Sequence, residues 1–254
     1  GKVSFKAFQI ANLFQLVSRD SSLAEGSLDG DIVLANTSLS GNLYLNDLKV
    51  KKYPVGDFYL EALAENKGFS FKSTLEGNEN NAAFSGTSST KDSVTRINIE
   101  ADLKSISMKT IEGFSMGNLN SSSGNLSGKF TLTGITSEPE LSGKLNFVDV
   151  QTIPTAINSK FSIPNSNLEI DNKKILFNKF TMRDDAGKLL VVDGYIDIKN
   201  MTDPDISVTV TSEEFEVFNS PKAQKKMFYG RLIADSKIDI SGSAKKPVIK
   251  ARLG

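Results

Sequence analysis

A strand–turn–strand phrase recurs along this chain, and the repeat limits its fold more than any single residue does. One copy runs from Gly128 to Leu145: an alternating strand reaches Gly134, four residues follow, and Pro139 opens a second alternating strand. Another runs from Ser236 to Leu253, with Gly242, four residues and then Pro247. A third, Gly194 to Val208, has a shorter linker, with Asn200 in the place of the glycine and Pro204 before the second strand. Repeated units of this kind stack into a β architecture in which each repeat contacts mainly its neighbours. Such a stack offers a long continuous surface instead of a point-like active site. Gly134 and Gly242 are expected at positive φ in the turns, and Pro139, Pro204 and Pro247 at strand starts.

Period-two alternation fills most of the rest, the pattern of half-buried strands. Leu28, Gly30, Ile32 and Leu34 share one face; so do Leu39, Gly41, Leu43 and Leu45, then Phe58, Leu60 and Ala62, then Ile97, Ile99, Ala101 and Leu103. Helical spacing is scarce. Ile10, Leu13, Phe14 and Val17 predict a short helix over 10–18, and residues 222–228 after Pro221 predict a helical turn. There is also a longer echo: Phe5-x-x-Phe8 before one spacer resembles Phe215-x-x-Phe218 before another. The polar stretch Met116 to Gly124 divides the chain into a segment 1–115 and a segment 116–254, which are expected to be continuous.

Composition excludes several chemistries. Lys+Arg and Asp+Glu both number 30, so there is no basic excess to capture nucleic acid. With no Cys and no His, thiol catalysis, zinc–thiolate sites and the commonest general base are gone. Neighbouring carboxylates, Asp184-Asp185 and Glu213-Glu214, point to opposite faces of a strand, so neither pair makes a catalytic dyad. Asp184 to Gly187 reads as a hairpin turn. Asp29, Asp31, Asp203 and Asp205 lack the dense glycine–aspartate repeat of calcium rolls. Lys222, Lys225 and Lys226 read as a solvated cluster. No enzyme, cofactor or metal is expected. No run approaches the roughly 18 apolar residues that cross a bilayer, and the opening pattern Lys2 to Ile10 suggests a piece cut from a longer protein.

The order of several pieces resembles the TamB family, the large AsmA-like proteins of the Gram-negative envelope. The pieces are Glu112-Gly-Phe-Ser-Met-Gly-Asn-Leu, then Ser123 to Gly134, then Pro139-x-Leu-Ser-Gly-x-Leu-x-Phe, then Ile175 to Lys188 with the later Gly194. The Lys and Asn richness is similar to Bacteroidetes versions, and the best match is to the C-terminal TamB domain. The resemblance implies an all-β fold: an elongated stacked sheet folded lengthwise into an open trough, a β-taco, with one or two short helical segments. It implies a periplasmic segment of a bridge protein held in the inner membrane by an N-terminal anchor outside this chain. Phospholipid acyl chains would then run along an apolar groove between the membranes. The alternative is a scaffold that works with a TamA-like outer-membrane partner and aids outer-membrane β-proteins by strand pairing.

Phenylalanine is the main aromatic, with 16 Phe, 5 Tyr and no Trp, and its side chain has no polar group to satisfy. Under the resemblance, the inward residues that would meet acyl chains are Phe130, Leu132, Leu145, Phe147, Phe161, Ile163, Leu168, Ile170, Ile175, Phe177, Ile196, Ile198, Ile206, Val208, Ile238 and Ile240. A one-residue slip in register would turn each of these outward.

Overall fold

The computed structural model describes every residue except 13–22, 36–37, 201 and 221–229. The predicted helix over 10–18 therefore lies outside the described residues from 13 on, and so do the turn over 222–228 and its three lysines. The described strands are β1 (Lys2–Gln9), β2 (Ala24–Ala35), β3 (Ser38–Val50), β4 (Tyr53–Glu65), β5 (Gly68–Gly77), β6 (Asn80–Lys91), β7 (Val94–Ser107), β8 (Leu119–Ile135) and β9 (Glu138–Pro154). Then come β10 (Phe161–Ile163), β11 (Ser166–Asp171), β12 (Lys174–Arg183), β13 (Leu189–Asp197), β14 (Asp205–Ser220), β15 (Gly230–Ser243) and β16 (Val248–Leu253). One short helix, α1 (Met108–Phe114), follows β7. The all-β class expected from the sequence is what the structure has. The helix falls where no helical spacing stood out, because seven residues are too few to build a periodic signal.

Hydrogen bonding follows chain order almost throughout, and neighbours run antiparallel. The chain forms two compact units. Unit 1 comprises Gly1–Phe114 and Ser127–Leu141; unit 2 comprises Ser115–Leu126 and Ser142–Gly254. In unit 1, β1 to β7 pair consecutively. In unit 2, β9 pairs with both β10 and β11, which in turn pair with β12; then β12 to β16 pair consecutively. Pro164 lies between β10 and β11, where a residue without an N–H cannot continue a ladder.

Local chemistry fixes the connections. Asn78–Glu79, Asp92–Ser93 and Asn172–Lys173 have positive φ at both central residues of two-residue hairpins, the twist-matched turn that favours Asn and Asp at its first position. Gly134 and Gly242 sit at φ +103° and +89°, as the repeat requires. In the third copy Asn200 accepts from Thr202 N through its side chain and closes the turn without a glycine.

One device recurs in both units. Two residues of one strand oppose a single aspartate of the next, and the second of the two has positive φ. The pairs are Lys6–Ala7 against Asp29, Asn46–Asp47 against Asp57, Asn178–Lys179 against Asp193, and Glu213–Glu214 against Asp235. In each the aspartate Oδ1 accepts the backbone N–H of the positive-φ residue, at 2.7, 2.8, 3.1 and 2.6 Å respectively. A bulge of this type bends its strand and adds twist. It also advances the bulged strand by three residues while the partner advances by two, so the apolar residues on both sides of the bend keep the same face.

Candidate functional site

The register assembles the apolar residues of each unit on one side of its sheet. In unit 1, one row reads Leu28, Leu45, Phe58, Leu75, Ala82 and Leu103, and the next reads Gly30, Leu43, Leu60, Ser73, Phe84 and Ala101. The opposite side of the same strands carries Asp29, Tyr44, Tyr59, Thr74, Ala83 and Asp102. Phe130 joins Ser73, Phe84 and Ala101 around a hollow of about 460 Å³ within unit 1. Leu132 lies two residues further along β8, on the same side as Phe130 by alternation.

Unit 2 brings together the other sequence-predicted residues. Leu145 faces Leu168 across β9 and β11. Ile170, Ile175, Ile196 and Ile206 form one row, and Phe177, Gly194, Val208, Ile240 and Ile249 form the next. Phe147 is drawn into the same cluster through Phe180, at 5.3 Å between ring centroids. Phe161 stacks on Phe215 at 5.5 Å, and Ile163 pairs with Val150. Ile238 pairs with Val210, and Ile198 continues the face of Ile196 just past the end of β13. Gly194 is required by close approach: a Cβ there would lie 2.2 Å from the Ser207 carbonyl oxygen.

The residues picked for the acyl path leave out Phe180, Val192, Val210, Val150 and Phe215, of which Phe180 is the one that counting in twos misplaces. Counting in twos from Phe177 puts Phe180 on the far side, but the bulge at Lys179 returns it to the near one, 6.1 Å from the Phe177 ring. A signal was present. The residues that flank three of the four bends are apolar and three apart (Phe5 and Phe8, Leu45 and Leu48, Phe177 and Phe180), and an aspartate stands opposite.

These faces are only half covered. Leu145, Phe147, Ile175, Phe177, Ile196, Val208, Ile238 and Ile240 are all intermediate in exposure, and the largest fully buried side chains are Phe215, Val55, Val150 and Ser159. Apolar side chains that would be sealed in a two-layer core are here within reach of another apolar molecule.

Apart from small residues such as Ala62 and Ala82 within the sheet, much of the full burial sits where short segments pack onto strand ends. In unit 1, α1 lies over β3 and β4 with Met108, Thr110, Glu112 and Gly113 buried. The Tyr53 hydroxyl donates to Glu112 Oε1, which pushes the Tyr53 pKa up to about 12. In unit 2, residues 155–160 close over the stacked Phe161 and Phe215. Ser159 Oγ and Asn219 Nδ2 donate to Glu216 Oε1 at 3.3 and 3.1 Å, and Arg231 Nε donates to Oε2 at 2.5 Å.

Most of the carboxylates singled out in the sequence have structural partners. Asp184 is buried and accepts the N–H groups of Lys188 and Glu216, closing the 184–188 turn. Asp185 pairs with Lys160 at 3.2 Å. Glu214 pairs with Lys188 and raises the lysine's pKa. Asp203 accepts from Lys245 N, tying the Pro204 turn to the Pro247 turn. Among the described residues no helix is long and apolar enough to cross a membrane.

Residues 178–254 match the family model of the TamB C-terminal domain. This segment, 77 of the chain's 254 residues, is what the chain shares with that family. The match takes in β13 to β16, two of the aspartate-held bulges and two of the glycine–proline repeats. TamB proteins serve envelope transport and assembly. No curated protein and no solved structure matches the chain.

Proposed function

We propose that this chain is a segment of a TamB-family protein and that its apolar faces carry phospholipid acyl chains through the periplasm, with headgroups left in water. One observation carries the reading: most of the residues picked for an acyl path lie in rows on one face of unit 2 and are half-exposed, whereas Phe130 and Leu132 lie in unit 1 and Phe161 is buried against Phe215. Each methylene laid on such a face gains about 0.8 kcal/mol when fully covered. Ten covered methylenes therefore hold a lipid with about 8 kcal/mol before the cost of ordering it. The opposite side, with Asp193, Tyr195, Thr209, Lys237 and Asp239, offers no comparable surface. In the full-length protein an inner-membrane anchor and a TamA-like outer-membrane partner would place this segment between the two bilayers.

The test is mass spectrometry of lipids that co-purify with the chain, beside a folded Phe177→Glu variant. Phospholipid on the wild type and none on the variant supports the path. An empty wild type that also refuses added vesicle lipid sinks it, and moves the reading to a scaffold that pairs strands with client proteins.

A further inference from the structure

The helix α1 is an unusual cover. It is only seven residues long, below the length at which a helix is stable alone. Of its four buried residues Met108 is the one large apolar side chain; Thr110, Glu112 and Gly113 complete the set. What holds it is chiefly polar. Glu112 takes the Tyr53 hydroxyl, and Thr110 Oγ1 accepts from Asn80 Nδ2 at 2.8 Å. Asn80 also donates to Val55 O at 2.7 Å and accepts from Ser107 N at 2.9 Å, at the point where β7 gives way to the helix.

What it covers is apolar. Val50 and Val55, both buried, stand on the two strands it packs against. The row of Leu45, Phe58, Leu75, Ala82 and Leu103 adjoins them. A cover fastened by hydrogen bonds opens at modest cost, because water replaces each bond on opening. A cover fastened by apolar packing would lose its packing outright. Elements of the first kind are the ones that open locally while the rest of a fold stays closed.

We propose that α1 is a lid on the apolar face of unit 1: closed, it ends the face at Val50 and Val55; open, it extends the face and admits or releases an acyl chain at that end. Tyr53, Asn80, Thr110 and Glu112 are its latch. The lid rests on the reading of the faces as an acyl path, but its opening is measurable without any lipid.

The chain's lack of cysteine makes a lock easy to build. A Cβ placed on Gly113 would stand 3.2 Å from the Tyr53 Cβ, a few tenths of an ångström short of disulfide geometry. The double variant Tyr53→Cys, Gly113→Cys would therefore clamp α1 to β4 when oxidised. Two measurements are made on the full chain. In the first, a pyrene-labelled phosphatidylethanolamine is offered in vesicles to the oxidised and the reduced double variant and to the wild type. The expected result is uptake at least tenfold slower in the oxidised form, recovered on reduction. Equal uptake by all three overturns the lid.

In the second, amide exchange is followed with no lipid present. Residues 108–114 are expected to exchange at least tenfold faster than β4 and β5, and a further tenfold faster in Tyr53→Phe. Exchange of α1 in step with those strands overturns the lid by itself. A wild type that takes up no lipid, while α1 exchanges early, refutes the acyl path and leaves a moving helix with a different ligand.

Discussion

An open apolar face and a sealed core respond differently to one buried charge, and the two phenylalanines of unit 2 separate the cases. Phe177 sits in the middle of the candidate face opposite Gly194 and is half-exposed. Phe215 is 0% exposed, stacked on Phe161 beside the buried Glu216. Fully burying a phenylalanine is worth about 1.5–3 kcal/mol, so the half-covered Phe177 contributes about 1 kcal/mol. A carboxylate in its place keeps its water, so Phe177→Glu is expected to cost about 1–2 kcal/mol in all. Truncating a core phenylalanine costs about 3–5 kcal/mol before any charge is added. Phe215→Glu adds an unpaired carboxylate beside Glu216 and is expected to exhaust a stability of about 5–15 kcal/mol. Urea unfolding followed by circular dichroism reads the difference. With a slope of about 3 kcal/mol per molar, Phe177→Glu moves the midpoint down by roughly 0.5 M. Phe215→Glu has no cooperative transition. If Phe177→Glu were as damaging as Phe215→Glu, the face would be a closed core, and the reasoning that gives it to acyl chains would be wrong.

The aspartate-held bulges give a prediction with two signs. Asp193→Ala leaves the Lys179 N–H without its acceptor and is expected to lower stability by about 1 kcal/mol. Lys179→Gly, at φ +50°, is expected to raise it by about 0.5–1 kcal/mol, since glycine accepts that backbone without strain. Both are read by thermal denaturation, and a destabilising Lys179→Gly would remove the argument. Tyr53 supplies a pH dependence. Its pKa is raised from the ordinary 10.0 to about 12 by the bond to Glu112, so what the bond contributes to stability is complete below about pH 10. It is lost as pH rises through about 12. Tyrosinate absorbance should show a late-titrating phenol that is missing in Tyr53→Phe; a phenol that ionises with the ordinary tyrosines would refute the bond.

Much of the fold was legible because a strand writes its burial in steps of two. Leu43, Leu60 and Ile97 could be assigned to a face from the sequence, and Gly134, Gly242 and Pro247 mark real turns. The lost information sits where the step changes. The bulges at Ala7, Asp47, Lys179 and Glu214 carry no glycine, so their positive φ is invisible to a reader who looks for one. Helix α1 was hidden for the opposite reason. Its buried positions, Thr110 and Glu112 among them, are polar and bind Asn80 and Tyr53, so no apolar stripe announces it. Hydrogen-bonded burial leaves no hydropathy signal.

The bulges also explain how a bent sheet keeps one apolar side. An extra residue inserted into one strand of a pair without a change of backbone conformation would turn every later side chain to the other face. The three-against-two step absorbs that residue locally. Phe177 and Phe180 therefore stay together opposite Gly194 and Val192, and Phe5 and Phe8 stay together opposite Gly30 and Leu28. The aspartate matters because the device is strained. A non-glycine residue in the left-handed region costs about 1–2 kcal/mol, and the carboxylate bond to its N–H offsets about that much. The balance is close to neutral in energy but decisive in register: a strand that slipped by one residue would lose its aspartate and keep its strain. The same four-part unit serves β1 to β4 and β12 to β15, on sequences otherwise unalike. A chain that must lengthen an apolar surface by adding repeats needs each bend to restore the face, and these aspartates do that one strand pair at a time.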